Sequence, residues 1–140
     1  MKPFRLLALP IAALLISCHS NPMSMPVASD ENSRTVLAFL RAYGKKDLDG
    51  MMSCLDEEAT FVGSGAALSK PQIRDFFLAA FRKHPNLRVE VAALKSVQGS
   101  VHAEVRVETE AIWTDTWIFE MKHHRIHRYA LASGTRSGSR

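Results

Sequence analysis

The sequence predicts an α+β domain in which helices come first and an antiparallel sheet follows. Three observations carry this reading. Up to His84-Pro85-Asn86, apolar residues recur at helical spacing in three separate stretches. From Leu87 onward the period changes to two. No helical stretch separates the later strands, so hairpins rather than crossover helices join them, and the sheet is expected to be antiparallel.

Each element follows from local signals. Asn32 or Ser33 can cap a first helix near Arg34, which carries Val36, Leu37, Leu40 and Tyr43 with Phe39 beside them. Gly44 stops it. Asp47 caps a shorter second helix bearing Leu48, Met51, Met52 and Leu55, which the polar turn Asp56-Glu57-Glu58 closes. Residues 60–62 form a short β-prone segment that Gly63-Ser64-Gly65 breaks. Ser69 caps a third helix, with Pro71 in its first turn and Gln72 placed to complete a capping box. Its apolar stripe is Ile73, Phe76, Phe77, Ala80 and Phe81.

In the sheet, Leu87, Val89, Val91 and Ala93 share one face of the first long strand. After the turn Gln98-Gly99-Ser100, Val101, Ala103, Val105 and Val107 alternate with His102, Glu104, Arg106 and Glu108, which means one buried and one wet face. Trp117, Phe119 and Met121 alternate next. His123-His124 stands where a turn dipeptide is usual, and residues 126–132 make a last strand.

The ends of the chain carry a different message. Lys2 and Arg5 precede an apolar run over residues 6–16. That run is shorter than the ~20 residues a membrane span needs, and it has the build of a secretory signal. Leu15-Ile16-Ser17-Cys18 resembles the bacterial lipoprotein signal: an aliphatic residue, a tolerant position, a small residue, then cysteine. The resemblance implies cleavage before Cys18 and a membrane-lipid anchor on Cys18, to which each buried methylene contributes about 0.8 kcal/mol. By the same resemblance to lipoproteins of Gram-negative bacteria, His19 in place of Asp implies the outer membrane, with the domain facing the periplasm. The expected organisation is a signal peptide over 1–17, a lipidated cysteine and flexible tether over 18–33, one domain over 34–132, and a disordered tail over 133–140.

The net charge is +4, and Lys2 and Arg5 leave with the signal, so the mature excess is about half that. This is too weak to argue nucleic-acid binding, which wants a concentrated basic face. Lys122, Arg125, Arg128, Arg136 and Arg140 are either solvated or favour a nearby anionic membrane surface. With Cys18 lipidated, Cys54 has no disulfide partner. Set among Met51, Met52 and Leu55, it reads as a buried small hydrophobe rather than a nucleophile.

Four segments occur in a telling order. Ala42-Tyr43-Gly44-Lys45-Lys46-Asp47-Leu48-Asp49-Gly50 links two helices, and Leu55-Asp56-Glu57-Glu58-Ala59-Thr60-Phe61 leads into a strand. Ser69-Lys70-Pro71-Gln72-Ile73-Arg74-Asp75-Phe76-Phe77 opens a third helix, and Phe119-Glu120-Met121-Lys122 with Arg125-Ile126 makes a last hairpin. Together they resemble the nuclear transport factor 2-like superfamily, including its SnoaL-like and ketosteroid-isomerase-like members, over residues 34–132. The resemblance implies a cone: a strongly bent antiparallel sheet wrapped around three N-terminal helices, with an apolar pocket at its open end. Some members do acid–base chemistry there, some bind small molecules, and some only dimerise or scaffold, so fold does not give function. The isomerase chemistry needs a carboxylate base after the first strand and donors deep in the pocket. Matching the segments puts those positions at Gly63, Phe39 and near Trp117, all nonpolar here, which argues against that chemistry.

The expected ligand wall is Phe39, Tyr43, Phe61, Phe77, Trp113, Trp117, Phe119 and Tyr129. No catalytic residue is identified; Asp115, His127 and Tyr43 are the candidates. Asp115 lies between Trp113 and Trp117. It is either an acid whose pKa the indoles raise or a hairpin-turn aspartate in solvent. Tyr43 either points inward or ends the first helix with its hydroxyl in water. His127 and Tyr129 share a face of the last strand, which lines the pocket if concave and a dimer surface if convex. His123, His124 and His127 lack converging geometry and a confirming acid, so neither metal nor cofactor is expected. No Ser-His-Asp ordering, phosphate-cradling loop or zinc motif is present.

The functional expectation is a lipid-anchored envelope protein whose cone binds a small apolar ligand or a partner protein without catalysis. One alternative is an enzyme that uses Asp115 or His127 on a small carbonyl or polycyclic substrate. Another is a scaffold subunit of an envelope complex. A homodimer is expected, nucleic acid is not.

Overall fold

The computed structural model describes residue 26, residues 28–63 and residues 65–132. The expected signal peptide, Cys18, most of the expected tether and the expected tail over 133–140 lie outside the described residues.

Helix α1 (Glu31–Gly44) begins behind Asp30, whose Oδ1 accepts from the Ser33 N–H at 2.8 Å. The cap is therefore Asp30 rather than Asn32 or Ser33. The other oxygen of Asp30 accepts from the hydroxyls of Ser33 and Ser96, at 2.9 and 2.6 Å, which fixes the start of α1 to the sheet. Asp47 caps α2 (Leu48–Ser53) through the Gly50 N–H at 3.0 Å. A Cβ on Gly50 would stand 2.3 Å from Asp47 Oδ2, so this cap requires glycine there. Helix α3 (Lys70–Lys83) opens with the Ser69–Gln72 capping box and Pro71 in its first turn.

The strands are β1 (Leu55–Val62), β2 (Leu68–Ser69), β3 (Arg88–Val97), β4 (Ser100–Glu108), β5 (Ile112–Lys122) and β6 (Arg125–Leu131). They form one six-stranded sheet in the order β2-β1-β6-β5-β4-β3. The sheet is strongly curved and unclosed, and the helices sit in its hollow, which is the α+β cone. The hairpins β3–β4, β4–β5 and β5–β6 are antiparallel. The pairing of β1 with β6 is parallel, so the sheet is mixed rather than wholly antiparallel. That pairing joins the helical half of the chain to its last strand, and no hairpin connects them.

Local departures have local causes. Asp56-Glu57-Glu58 is inside β1, not in a turn. Between the pairs Leu55↔Ile126 and Thr60↔Arg128 the register slips, and the bulged stretch lets successive acids reach solvent. In β3 the register shifts between Val91 and Ala93, so Ala93 is exposed and Leu94 takes the inward place opposite Ala103. Both turns adopt left-handed pairs: φ is 42° and 82° at Gln98-Gly99, and 50° and 61° at His123-His124.

The alternation of β4 holds, with Val101, Ala103, Val105 and Val107 all buried. They join Trp117, Phe119, Ile126 and Tyr129 of the sheet, Val36, Phe39, Leu40 and Tyr43 of α1, and Ile73 and Phe77 of α3 in one core. Each large apolar side chain so buried contributes about 1.5–3 kcal/mol.

Candidate functional site

Strand register brings the aromatic residues together. Phe61 lies opposite Tyr129 across β1–β6, and Phe119 lies opposite Tyr129 across β5–β6. The Tyr129 ring stacks on Phe61 at 4.4 Å between centroids, on Phe119 at 5.7 Å and on Trp117 at 6.0 Å. Phe39 of α1 meets it at 5.6 Å. Phe77 of α3 meets Phe39 and Tyr43 edge-on at 6.1 and 5.0 Å. The residues Phe39, Tyr43, Phe61, Phe77, Trp117, Phe119 and Tyr129 are thus brought together inside the cone, packed on one another.

Trp113 is not among them. It is 44% exposed at the start of β5, at the end of the cone where β1 and β6 finish. Two more large apolar side chains are exposed at this end, Phe76 at 47% and Leu131 at 37%. Phe76 touches Phe61 at 5.8 Å, and Leu131 stands opposite Trp117. The other end is closed, with Met51, Leu55 and Ile126 fully buried.

Few polar groups face the interior. The Tyr129 hydroxyl is buried and has no hydrogen-bond partner among the described residues. Burial, and secondarily the nearby Tyr43, holds its pKa well above the ordinary tyrosine value. Tyr43 is buried too, against Phe77, Phe81 and Trp117, and burial pushes its pKa up to about 12. Both phenols are therefore neutral donors at physiological pH.

Asp115 is a strand residue rather than a turn residue. It pairs with Val105 and shares the concave side of β5 with Trp113 and Trp117. Its Oδ1 accepts from the Thr116 N–H at 2.8 Å.

His127 does not share the face of Tyr129. The register between β5 and β6 shifts there, so Ile126 and Tyr129 both point inward and His127 is displaced. Its Nδ1 lies 2.7 Å from Asp56 Oδ2, across the bulged stretch of β1. His124 turns toward α1, with Nδ1 3.1 Å from Asn32 Oδ1 and Nε2 3.5 Å from Glu31 Oε2. Among the described residues, no three His, Cys, Asp or Glu side chains are placed to hold a metal ion. Cys54 is a free thiol whose pKa burial raises.

A depression of about 480 Å³ lies by the β5–β6 turn, lined by Asp56, Glu57, Glu58, Lys122, His123 and Arg125. Sequence reasoning missed it because it placed the acids in a turn away from the hairpin. It placed Tyr129 on a face shared with His127 and did not foresee that its hydroxyl is buried without a partner among the described residues. Gly63, Phe39 and Trp117 leave the isomerase positions without a titratable group.

A family model for the SnoaL-like domain matches residues 36–129. No protein with a curated description matches the chain. Among solved structures, an uncharacterised cystatin-fold protein from Novosphingobium aromaticivorans is similar at 18% identity and a TM-score of 0.68, covering 75% of this chain and 100% of that one. A candidate polyketide cyclase from Sinorhizobium meliloti is similar at 19% identity and a TM-score of 0.65, covering 70% of this chain and 93% of that one. An LEH-like epoxide hydrolase from M. tuberculosis is similar at 17% identity and a TM-score of 0.61, covering 72% and 80%. At these identities the likeness is one of fold. The family match spans nearly every element that builds the cone, and the chain belongs to the SnoaL-like domain family.

Proposed function

We propose that this protein is an envelope lipoprotein, anchored through Cys18, whose cone binds a small apolar ligand at its open end without catalysis. The observation that carries the binding reading is the apolar rim. Phe76 and Leu131 are exposed and adjoin the buried aromatic set through Phe61 and Trp117, and Trp113 is exposed further along β5 on the side of Trp117. Scattered exposed apolar residues need no explanation, whereas exposed apolar residues that continue a buried aromatic set favour a ligand. The nonpolar residues Gly63, Phe39 and Trp117 support binding over isomerase-type turnover. The descriptions of similar structures as a polyketide cyclase and an epoxide hydrolase support small organic molecules as the ligand class. The anchor rests on Leu15-Ile16-Ser17-Cys18.

Native mass spectrometry of the full-length protein from its own membranes tests the binding. The expected result is a co-purified small mass that Trp113→Ala depletes. A bare chain that takes up no apolar compound would end this reading. Lipid labelling of the parent and of Cys18→Ala tests the anchor, with label expected on the parent alone.

A second reading has one observation in its favour. Asp115 stands on the concave side of β5 between two indoles, where a general base would reach a bound ligand.

A further inference from the structure

We propose that the Tyr129 hydroxyl selects the cone's ligand, and that the ligand is a flat, neutral, apolar molecule carrying an oxygen acceptor, such as an aryl ketone. The inference rests on the reading of the cone as a binding site and names the chemistry of what enters it.

The observation is an orphaned donor. Native proteins satisfy nearly all buried polar groups, so a buried hydroxyl without a partner requires an explanation. Tyr129 is fully buried, and its hydroxyl has none among the described residues. The ring cannot turn away to find one. Phe61, Phe119 and Trp117 stack on it at 4.4, 5.7 and 6.0 Å, and Phe39 packs at 5.6 Å. The oxygen end is thus held in place, which is the pre-organisation a recognition group needs.

The chemistry of the complement follows from the surroundings. A protonated phenol can donate and accept but is the stronger donor, so the partner that satisfies it best is an acceptor. The walls are rings, and flat molecules make the best contact with them. Burial disfavours a charged ligand. The route in is short. Phe61 touches the exposed Phe76, and Trp117 faces the exposed Leu131, so two of the four rings around Tyr129 adjoin exposed apolar residues. The donor comes from β6, whereas the tyrosine position that the superfamily resemblance supplies on α1 is Phe39 here.

A matched pair of probes tests this: 2-acetylnaphthalene, and 2-isopropenylnaphthalene, in which a methylene replaces the carbonyl oxygen. Tryptophan quenching on the full-length chain reads both affinities. One hydrogen bond of ordinary net worth predicts about fivefold tighter binding of the ketone. Tyr129→Phe should erase that preference, bringing the affinity of the ketone to that of the hydrocarbon. Tyr129→Phe should also melt no lower than the parent, since it loses only an unpaired group. Equal binding of the two probes, or a preference that survives Tyr129→Phe, overturns the donor assignment while the cone still binds. Binding of neither probe overturns the cone reading, and this inference with it.

Discussion

Phe61 and Tyr129 stand directly opposite each other on the parallel pair β1–β6, with their rings stacked 4.4 Å apart and 16° from coplanar. β1 comes from the helical half of the chain and β6 is its last strand, so this contact locks the two halves together. No tight turn enforces a parallel pairing, and side chains must hold the register. Phe61→Ala is expected to lower unfolding free energy by about 3 kcal/mol or more, as buried aromatic truncations do. Urea denaturation reads it. A loss below about 1 kcal/mol would show that the backbone ladder alone holds β1.

Asp30 ties the start of α1 to β3 through Ser33 and Ser96. These hydrogen bonds, that of Ser96 first, hold its carboxyl below the ordinary value of 3.8. A depressed folded pKa means the charged form is the stabilised one. Its contribution is complete above the unfolded value and is lost as pH falls through the lower folded value. Asp30→Ala is expected to cost about 1 kcal/mol at neutral pH as a lost helix cap. The gap between parent and variant should narrow below about pH 4. A gap unchanged through acid would assign the effect to shape rather than charge.

His123 and His124 turn the last hairpin with φ of 50° and 61°, a region that favours Asn and Gly. The ring of His124 is tied to Asn32 and Glu31, which accounts for its presence there. The ring of His123 only lines the polar depression. His123→Asn is therefore expected to raise stability by about 0.5 kcal/mol, since Asn accepts the left-handed backbone more readily. A lower thermal midpoint would mean that the imidazole makes a stabilising contact.

What the sequence made legible was local. Asp47 and the Ser69–Gln72 box cap their helices through backbone groups a few residues away, and β4 shows its buried face by simple alternation. The features it hid depend on partners far along the chain. The β1–β6 pairing leaves no turn signature, so Asp56-Glu57-Glu58 looked like the turn that their composition suggests. Bulges reverse the alternation on which strand reading depends, and so Leu94 replaced Ala93 inside and His127 left the face of Tyr129. Asp115 resembled a turn residue, but its neighbours Trp113, Thr114, Thr116 and Trp117 all favour strands and keep it in β5. The orphaned hydroxyl of Tyr129 depends on the whole fold, since only the assembled core shows that no described residue reaches it.

Asp115 decides between a cone that holds its ligand and a cone that transforms it. Its side chain shares the concave side of β5 with Trp113 and Trp117. A base there would take a proton from the carbon beside a ligand carbonyl while the Tyr129 phenol steadied the enolate oxygen. Asp115→Asn isolates that role, because the amide is nearly the same shape and its oxygen can still accept from the Thr116 N–H. Parent and variant would be incubated with the captured compound in deuterated water, and exchange at its α-carbon followed by mass spectrometry. The binding reading expects equal retention of the ligand and no exchange above the solvent rate in either protein. Exchange by the parent that falls about a hundredfold or more in the variant, with retention unchanged, would make Asp115 a general base and replace binding with catalysis as the function of the cone.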